Sequence, residues 1–302
     1  MDKKIPVASI VKYRYLYLLL LPGVIWLIIF RYIPMYGIVI AFKDYNIFKG
    51  IGQSPWVGWV NFTEFFRYDR FWVLIRNTVL ISVYKIIFGF PFPIIVALML
   101  NEVRGNVFKR SIQTVIYFPH FLSWVIVGGL VITLLSPDGF VNSIVKALGG
   151  QSQMWIAKSE YFRGILVLSD IWKEAGWGTV VYMAALSNIN VEMYEAAIID
   201  GAARLQRIWY ITIPCLMPTI VILLILRMGN VMEAGFEQVL ILQNPNVLSI
   251  GDIIDTYVYR VGLEQRKYSY SAAVGLFKSI VNMILILITN YSAKKMGQES
   301  LF

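Results

Sequence analysis

The chain has 302 residues, of which 58% are hydrophobic and 15% are charged. Soluble chains average about 45–50% apolar and about 25% charged residues, so this composition excludes an ordinary soluble protein and predicts a lipid bilayer as the solvent. One Cys and one His argue against a disulfide framework and against a His/Cys metal cluster. The net charge of +9 is typical of cationic flanks at anionic lipid, and we expect no nucleic acid partner.

Six stretches are apolar and long enough for the roughly 20 residues that a membrane helix needs. No small-residue cleavage site follows the first, so we expect a retained helix that ends at the interfacial residues 31–34. In the second, Pro91 and Pro93 predict a kink. The sequence therefore predicts an all-α integral membrane protein with six transmembrane helices, at about residues 15–33, 72–100, 112–135, 164–186, 216–242 and 271–291.

Lys and Arg residues set the expected orientation, because the cytoplasmic loops of membrane proteins carry more of them. With the N-terminus inside, the inner segments hold 11 Lys and Arg residues in 65 positions, and the outer segments hold 10 in 94. This bias predicts that both ends lie in the cytoplasm. We therefore divide the chain into a cytoplasmic N-terminus (1–14), one transmembrane domain (15–291) and a cytoplasmic C-terminus (292–302).

The sequence contains no motif of a familiar enzyme. The patterns GxxxxGK[ST], HExxH, GxSxG and the Rossmann glycines are all absent. His120 has no partner for a catalytic triad or a metal site, so we expect a packed or capping role. Cys215 lies beside Pro214 in an apolar run, which is typical of a small core residue. We predict no catalytic residue and no metal ligand in this chain.

The inner segment 187–215 is the longest inner connection and has a helical pattern. Two acidic residues stand near the expected start of a helix, where the dipole favours anions, and two alanines, which are strong helix formers, follow. Gly201 permits a left-handed turn or a close backbone approach. A second short helix is expected at 202–210, and Pro214 punctuates the start of the next span. The segment therefore predicts a helix–turn–helix that projects into the cytoplasm.

This segment, here called the EAA segment (187–215), resembles the EAA signature of ABC importer permeases. The signature is Glu-Ala-Ala, three residues, Gly, nine residues, Ile, one residue, an apolar residue and Pro. The family more often has Leu at the position of Ile213. The matching residues are Glu195, Ala196, Ala197, Gly201, Ile211, Ile213 and Pro214. The sequence also resembles maltose-type carbohydrate permeases, in the branch that imports oligosaccharides released from polysaccharides. This resemblance lies at Phe62, 77–78, 117–119, Trp177 and 268–277.

The resemblance implies the fold of a maltose-type ABC importer permease and a set of partners in a bacterial cytoplasmic membrane. These are a second homologous permease subunit, two cytoplasmic ATPase subunits, an extracytoplasmic solute-binding protein and a carbohydrate. The ATPases bind ATP and Mg, so no cofactor is implied for this chain. The EAA helices dock on an ATPase subunit, where Glu195 meets a basic group. The implied coupling residues are Glu195, Ala196, Ala197, Asp200, Gly201, Ala202, Arg204 and Pro214.

Ionisable residues inside the fourth and fifth spans are candidates for a substrate pathway, because such residues are costly in lipid and usually face a polar route. By helical periodicity, those of each span fall within about one third of the helix circumference. Asp170 and Glu233 lie at similar depths, roughly 9–14 Å from the outer ends. With Trp177 or Trp172 as a stacking platform, the cavity between them suits a sugar. The candidates are Asp170, Lys173, Glu174, Trp177, Arg227, Asn230, Glu233 and Glu237.

Alternatives stay open at this stage. The opposite charges of the fourth span could neutralise each other and hold helices together. Snorkelling or interfacial positions are expected for Arg31, Arg76, Lys85 and Lys278. A secondary, ion-coupled transporter would show paired repeats and glycine-broken spans, and a channel subunit would show a selectivity loop. The sequence shows neither. The resemblance implies an oligosaccharide as the substrate, and Arg227 leaves room for an acidic one.

Overall fold

The computed structural model describes residues 13–103 and 105–295, most of which are helical. The β-contact recorded among these residues is an isolated bridge between Lys43 and Trp56. The predicted cytoplasmic termini, 1–14 and 292–302, lie mostly outside the described residues. The chain divides into two compact units, Met1–Arg67 with Val261–Leu276, and Tyr68–Arg260 with Phe277–Phe302.

The first unit is built from helix α1 (Arg14–Phe42), a single turn (Gly50–Gln53) and helix α2 (Val60–Phe66). In its core, Phe62 packs with Ala41 and Ala273. The prediction that the first span ends at an interfacial stop is wrong, because α1 continues through Pro34 into the 3-10 turn Tyr36–Phe42. Pro34 lies at the start of a helical turn, where its missing N–H costs little.

The second unit contains most of the helices. They are α3 (Phe71–Glu102), α4 (Asn106–Tyr117), α5 (Trp124–Leu135), α6 (Phe140–Ala147), α7 (Ser159–Ser187), α8 (Val191–Ile199), α9 (Arg204–Gly229), α10 (Phe236–Leu242) and α11 (Ile254–Tyr259). Single turns lie at Phe118–Phe121, Trp155–Ala157, Pro245–Val247 and Leu248–Gly251. A π turn (Arg260–Glu264) and helix α12 (Tyr268–Lys295) contribute residues to both units.

Helix α7 organises the second unit, because it packs against α3, α4 and α9. At Gly176 the approach is so close that an added Cβ would lie 2.0 Å from the carbonyl oxygen of Ile116 on α4. Two buried apolar clusters hold α7 in place. The first joins Ala97, Tyr182, Leu186 and Leu216, and the second joins Ile81, Phe162, Leu166, Val239, Leu242 and Ile253.

Three of the long helices contain a π-helical segment shortly before a proline. Proline has no N–H to donate to the preceding turn, and a widened turn keeps the helix continuous there. In α3 this segment stands where the sequence predicts a kink. The segments are Ile28–Tyr32 before Pro34, Lys85–Gly89 before Pro91 and Ile208–Thr212 before Pro214.

Among the described residues, five helices are long and apolar enough to cross a membrane. They are Arg14–Phe42, Phe71–Glu102, Trp124–Ala147, Arg204–Gly229 and Tyr268–Lys295. The predicted fourth span, 164–186, lies within α7. That helix has 29 residues and is not one of the five, because it carries the charged residues Glu160, Arg163, Asp170, Lys173 and Glu174.

The predicted third span, 112–135, has the wrong start. Helix α4 ends at Tyr117, and a 3-10 turn separates it from α5. The Ser123 hydroxyl oxygen accepts a hydrogen bond from the Ile126 amide at 3.4 Å and caps the new helix. Serine favours this capping position, which interrupts an otherwise apolar pattern.

The predicted fifth span, 216–242, has the wrong end. Helix α9 stops at Gly229, and α10 begins only at Phe236. Between them the backbone enters the left-handed region, with φ of +50° at Ala234 and +83° at Gly235. No proline stands in this turn, and apolar residues resume after it, so periodicity alone does not reveal the break.

Candidate functional site

Asp170 of α7 lies at the centre of a buried polar cluster in the second unit. Its Oδ1 accepts a hydrogen bond from Lys85 Nζ at 2.9 Å, and its Oδ2 lies 3.5 Å from Arg227 Nη2. Lys85 and Asp170 are buried, whereas the Arg227 side chain is 45% exposed. The prediction that Lys85 snorkels is wrong, because Asp170 and Gln238 satisfy its ammonium group inside the protein.

A second polar group lies one turn further along α7. Lys173 Nζ lies 2.9 Å from Glu174 Oε1 and donates a hydrogen bond to the His120 carbonyl at 3.0 Å. His120 Nδ1 lies 2.8 Å from Glu174 Oε2, and the His120 ring stacks on Trp177 with centroids 4.7 Å apart. The packed role predicted for His120 is confirmed. The charges on this helix also pair, as the alternative interpretation expected.

The four polar residues predicted on the fifth span do not form one stripe. Arg227 lies in the last turn of α9, Asn230 follows the helix end, Glu233 lies in the turn, and Glu237 lies in the first turn of α10. Arg227, Asn230 and Glu233 line one cavity, and Glu237 does not. The prediction of a single wedge of about 120° is wrong because the helix breaks after Gly229.

Gln238 of α10 also belongs to the cluster, although its position in the sequence does not indicate this. Its Nε2 donates hydrogen bonds to the Ser169 hydroxyl and to the Leu166 carbonyl, each at 2.7 Å, and its Oε1 accepts one from Lys85. A lysine in the middle of a long apolar span is the signal that could have indicated this cluster, because a charge at that depth needs partners.

Two cavities of 290 and 200 Å³ adjoin the cluster, and Asp170 and Arg227 line both. The larger is also lined by Glu174, Trp177 and apolar residues of α3, α7 and α9. Within residues 13–103 and 105–295, no three His, Cys, Asp or Glu side chains could hold a metal ion together. A guanidinium, a carboxylate and an indole around one space can bind a ligand that has both polar edges and an apolar face.

The EAA segment folds as two helices joined by a turn at Gly201. Helix α8 ends there, because Gly201 has φ of +79° and the Ala202 amide donates a hydrogen bond to the Ala197 carbonyl at 2.8 Å. The Gly201 amide likewise bonds to the Ile198 carbonyl, which completes a Schellman motif. The left-handed turn predicted at Gly201 is confirmed.

The second helix of the EAA segment differs from the prediction of a short helix at 202–210. Helix α9 begins at Arg204 and continues through Pro214 as one helix, because a widened π turn before the proline accommodates it. The Tyr194 and Thr212 hydroxyl oxygens lie 2.9 Å apart and form a hydrogen bond between α8 and α9.

Most of the predicted coupling residues lie on the surface of the chain. Ala197 and Ala202 are half-buried, and Arg204 lies 3.6 Å from Glu102. Ile199 is 86% exposed, so the described part of the chain leaves an apolar surface uncovered here. The exposed members of the predicted set are Glu195, Ala196, Asp200, Gly201, Arg204 and Pro214.

Residues 89–298 match the family model described as "Binding-protein-dependent transport system inner membrane component". The chain is 48% identical over 296 residues to protein LplB of Bacillus subtilis (strain 168), and the aligned residues cover 98% of this chain and 93% of LplB. It is 45% identical over 295 residues to the polygalacturonan/rhamnogalacturonan transport system permease protein YteP of the same strain, which covers 97% of this chain and 92% of YteP.

A solved structure is similar over the same extent. It is the crystal structure of a bacterial alginate ABC transporter in complex with an alginate pentasaccharide-bound periplasmic protein. One of its chains matches with a TM-score of 0.89 and 40% sequence identity, over 97% of this chain and 99% of that one. Since the family model spans more than half of the sequence and the relatives match nearly all of it, the chain belongs to the family of binding-protein-dependent transport system inner membrane components.

Proposed function

We propose that this chain is the permease subunit of an ATP-driven importer of acidic oligosaccharides. The observation that carries the choice of an acidic substrate is Arg227, whose half-exposed guanidinium lines both cavities. A planar guanidinium matches the two oxygens of a carboxylate. The relatives support the same choice, because polygalacturonan and alginate, the polymers in their names, consist of uronic acids.

The proposed assembly follows the resemblance. This chain pairs with a second homologous permease subunit, contacts two ATPase subunits that bind ATP and Mg, and receives the sugar from an extracytoplasmic binding protein. It spans the membrane six times, with both termini in the cytoplasm, and α7 joins the five apolar helices as the fourth span in chain order. The pairing of Asp170 and Glu174 with neighbouring cations supports α7 as a span, because paired charges cost less in lipid than free ones.

The EAA segment is proposed to dock on an ATPase subunit. The exposed Ile199 offers apolar area, and Glu195 and Asp200 add negative charge for a basic group of that subunit. The Schellman turn and the hydrogen bond between Tyr194 and Thr212 hold α8 against α9. Because the two helices move together, closure of the ATPase dimer would tilt α9 instead of deforming the turn.

The substrate pathway is proposed along the face of α7 that lines the larger cavity. Trp177 offers its ring to the apolar face of a sugar, Glu174 accepts hydrogen bonds from hydroxyl groups, and Arg227 pairs with the carboxylate. Buried Asp170 and Lys173 lie behind Arg227 and Glu174 and pair with them. Asn230 and Glu233 continue the pathway into the smaller cavity.

The test is uptake by proteoliposomes that contain the chain purified from its native membrane with the subunits that accompany it. We expect an ATPase to co-purify. In the presence of the binding protein, labelled trigalacturonate should enter with ATP and without an ion gradient, and faster than neutral maltotriose. Uptake driven by an ion gradient without ATP would contradict the importer. Equal uptake of the two sugars would contradict only the acidic substrate.

A further inference from the structure

We propose that Lys85 is a positioning residue that makes this permease selective for sugars bearing a carboxylate, because it neutralises Asp170 and so leaves Arg227 with an uncompensated positive charge. The inference rests on the proposed function, in which Arg227 lies in the substrate pathway. It assigns a role in substrate selection to a buried lysine that the sequence pattern had placed at the membrane surface.

Asp170 has one negative charge and two cationic neighbours. Lys85 Nζ lies 2.9 Å from Asp170 Oδ1, and the two side chains are 4% and 10% exposed. Arg227 Nη2 lies 3.5 Å from Asp170 Oδ2, and its side chain is 45% exposed. A shorter distance and less solvent both strengthen an ion pair. Lys85 is therefore the main counter-ion of Asp170, and the surplus charge of the trio resides on Arg227.

Lys85 also lines the smaller cavity, but its side chain is almost fully buried and its ammonium is held in place on several sides. Gln238 Oε1 accepts a hydrogen bond from it, and the Gln238 amide is itself fixed by hydrogen bonds of 2.7 Å to Ser169 and Leu166. At Gly235 an added Cβ would fall on Lys85 Nζ, so the turn between α9 and α10 leaves room for the ammonium and little else.

Other acidic groups near the cavities do not cancel the charge of Arg227. Glu174 already lies 2.9 Å from Lys173 Nζ and 2.8 Å from His120 Nδ1. Glu233 lines the smaller cavity but is exposed to solvent, and no ion pair joins it to Arg227 in the part of the chain that the structure describes. A carboxylate on the substrate would complete the cluster.

The experiment compares trigalacturonate with its methyl ester, which has a similar shape and no charge, in proteoliposomes of the full assembly. In Lys85→Met, Asp170 has only Arg227 to pair with. We expect uptake of the acid to fall about 10- to 100-fold, the value of a hydrogen bond to a charged group, while uptake of the ester is unchanged. Adding Asp170→Asn should return the acid-to-ester ratio to within about three-fold of wild type.

Lys278→Met is the matched control, because it breaks another ion pair. Lys278 Nζ lies 2.6 Å from Asp255 Oδ1, and both side chains are 17% exposed. This variant should leave the acid-to-ester ratio unchanged. If Lys85→Met does not fold, the single variant Asp170→Asn tests the role of Lys85. We expect this variant to keep or raise the acid-to-ester uptake ratio. An unchanged ratio in Lys85→Met, or a lowered one in Asp170→Asn, would overturn the role of Lys85. Absence of acid preference in the wild type would instead overturn the proposed acidic substrate.

Discussion

The cluster around Asp170 and the EAA segment are both rich in charged residues, yet the chain pairs those residues to very different extents. Asp170 and Lys85 are buried and lie 2.9 Å apart within the second unit. On the EAA segment Glu195 is exposed, and Arg204 forms a loose pair with Glu102, at 3.6 Å, with side chains 61% and 41% exposed. Of these two regions, the buried cluster pairs its charges closely and the exposed segment does not.

The difference distinguishes the charges that stabilise the fold from those that are only exposed on its surface. A buried charge must find its partner when the chain folds, because an unpaired one is strongly destabilising, whereas an exposed pair adds little to stability. Substitutions around Asp170 should therefore change stability or substrate selection. Substitutions of the exposed charged side chains on the EAA segment should change transport and leave stability almost untouched.

The largest effect is expected for Gly201→Leu. Its φ of +79° disfavours any side chain, by roughly 1–2 kcal/mol, although no atom of the described chain lies within 4 Å of an added Cβ. The described chain thus leaves open space for an added Cβ, and the new side chain would obstruct the subunit that is proposed to dock there. We expect ATP-driven uptake to fall at least about ten-fold, the effect of roughly 1.4 kcal/mol of lost docking energy, with ATP hydrolysis uncoupled from transport.

Gly149→Leu is the matched control for Gly201→Leu. Gly149 has φ of +82°, ends α6 in the same Schellman arrangement, and also has nothing within 4 Å of an added Cβ. Both variants should therefore lose the same small amount of stability, measured as the Tm of the detergent-solubilised chain. If uptake falls equally in both, the loss comes from backbone strain, and the EAA segment has no special role in coupling.

A second prediction compares two glycines of α7 and tests the buried side of the contrast. In Gly176→Ala the methyl group would lie 2.0 Å from the Ile116 carbonyl oxygen, which should destabilise the chain by about 1–3 kcal/mol. In Gly164→Ala nothing lies within 4 Å, so better helix propensity should stabilise it by up to about 1 kcal/mol. The Tm values should move in opposite directions, and a common direction would contradict the close packing of α4 on α7.

The sequence predicts the parts of both regions that depend on local pattern. It identifies the left-handed turn at Gly201, because glycine after a helical run favours that conformation, and it places Asp170 and Glu174 on one helix. It does not predict the burial of Lys85. Lys85 is hydrogen-bonded to Asp170, 85 residues away in the chain, and to Gln238, 153 residues away. Only tertiary packing brings these residues together.

The break in the fifth span was also beyond the reach of the sequence pattern. Residues 230–235 contain no proline, and a positive φ at Ala234, which has a side chain, is uncommon. The contacts of Gln238 with Lys85 and Leu166 hold the chain in this turn. Periodicity therefore placed Glu233 and Glu237 on a helix that does not extend to them.

A third prediction concerns the aromatic wall of the larger cavity. Trp177 and Trp172 of α7 are similarly exposed, 48% and 51%, but only Trp177 lines that cavity. If a sugar stacks there, Trp177→Leu should raise the KM for uptake about 2- to 12-fold, since an aromatic contact is worth roughly 0.5–1.5 kcal/mol. Trp172→Leu should leave KM unchanged. Equal effects in both variants would place the sugar elsewhere.

The smallest effect is expected at a half-buried pair, Asp255 and Lys278, which lie 2.6 Å apart. Asp255 is in α11, outside the five apolar helices. Burial raises the pKa of its carboxyl above the usual range, although the charge and hydrogen bond of Lys278 oppose the shift. The folded state thus binds this proton more tightly than the unfolded state does. The stability that protonated Asp255 contributes is present at low pH and is lost as pH rises through its raised pKa.

Lys278→Met removes the group that opposes this shift, so the pKa of Asp255 should rise further. We expect the Tm of the solubilised variant to fall more steeply from acidic to neutral pH than that of wild type. Arg204→Met, which breaks the exposed pair with Glu102, should leave the slope unchanged because solvent already screens that pair. If the two variants shift the slope equally, burial does not separate the charges that the fold needs from those that it presents.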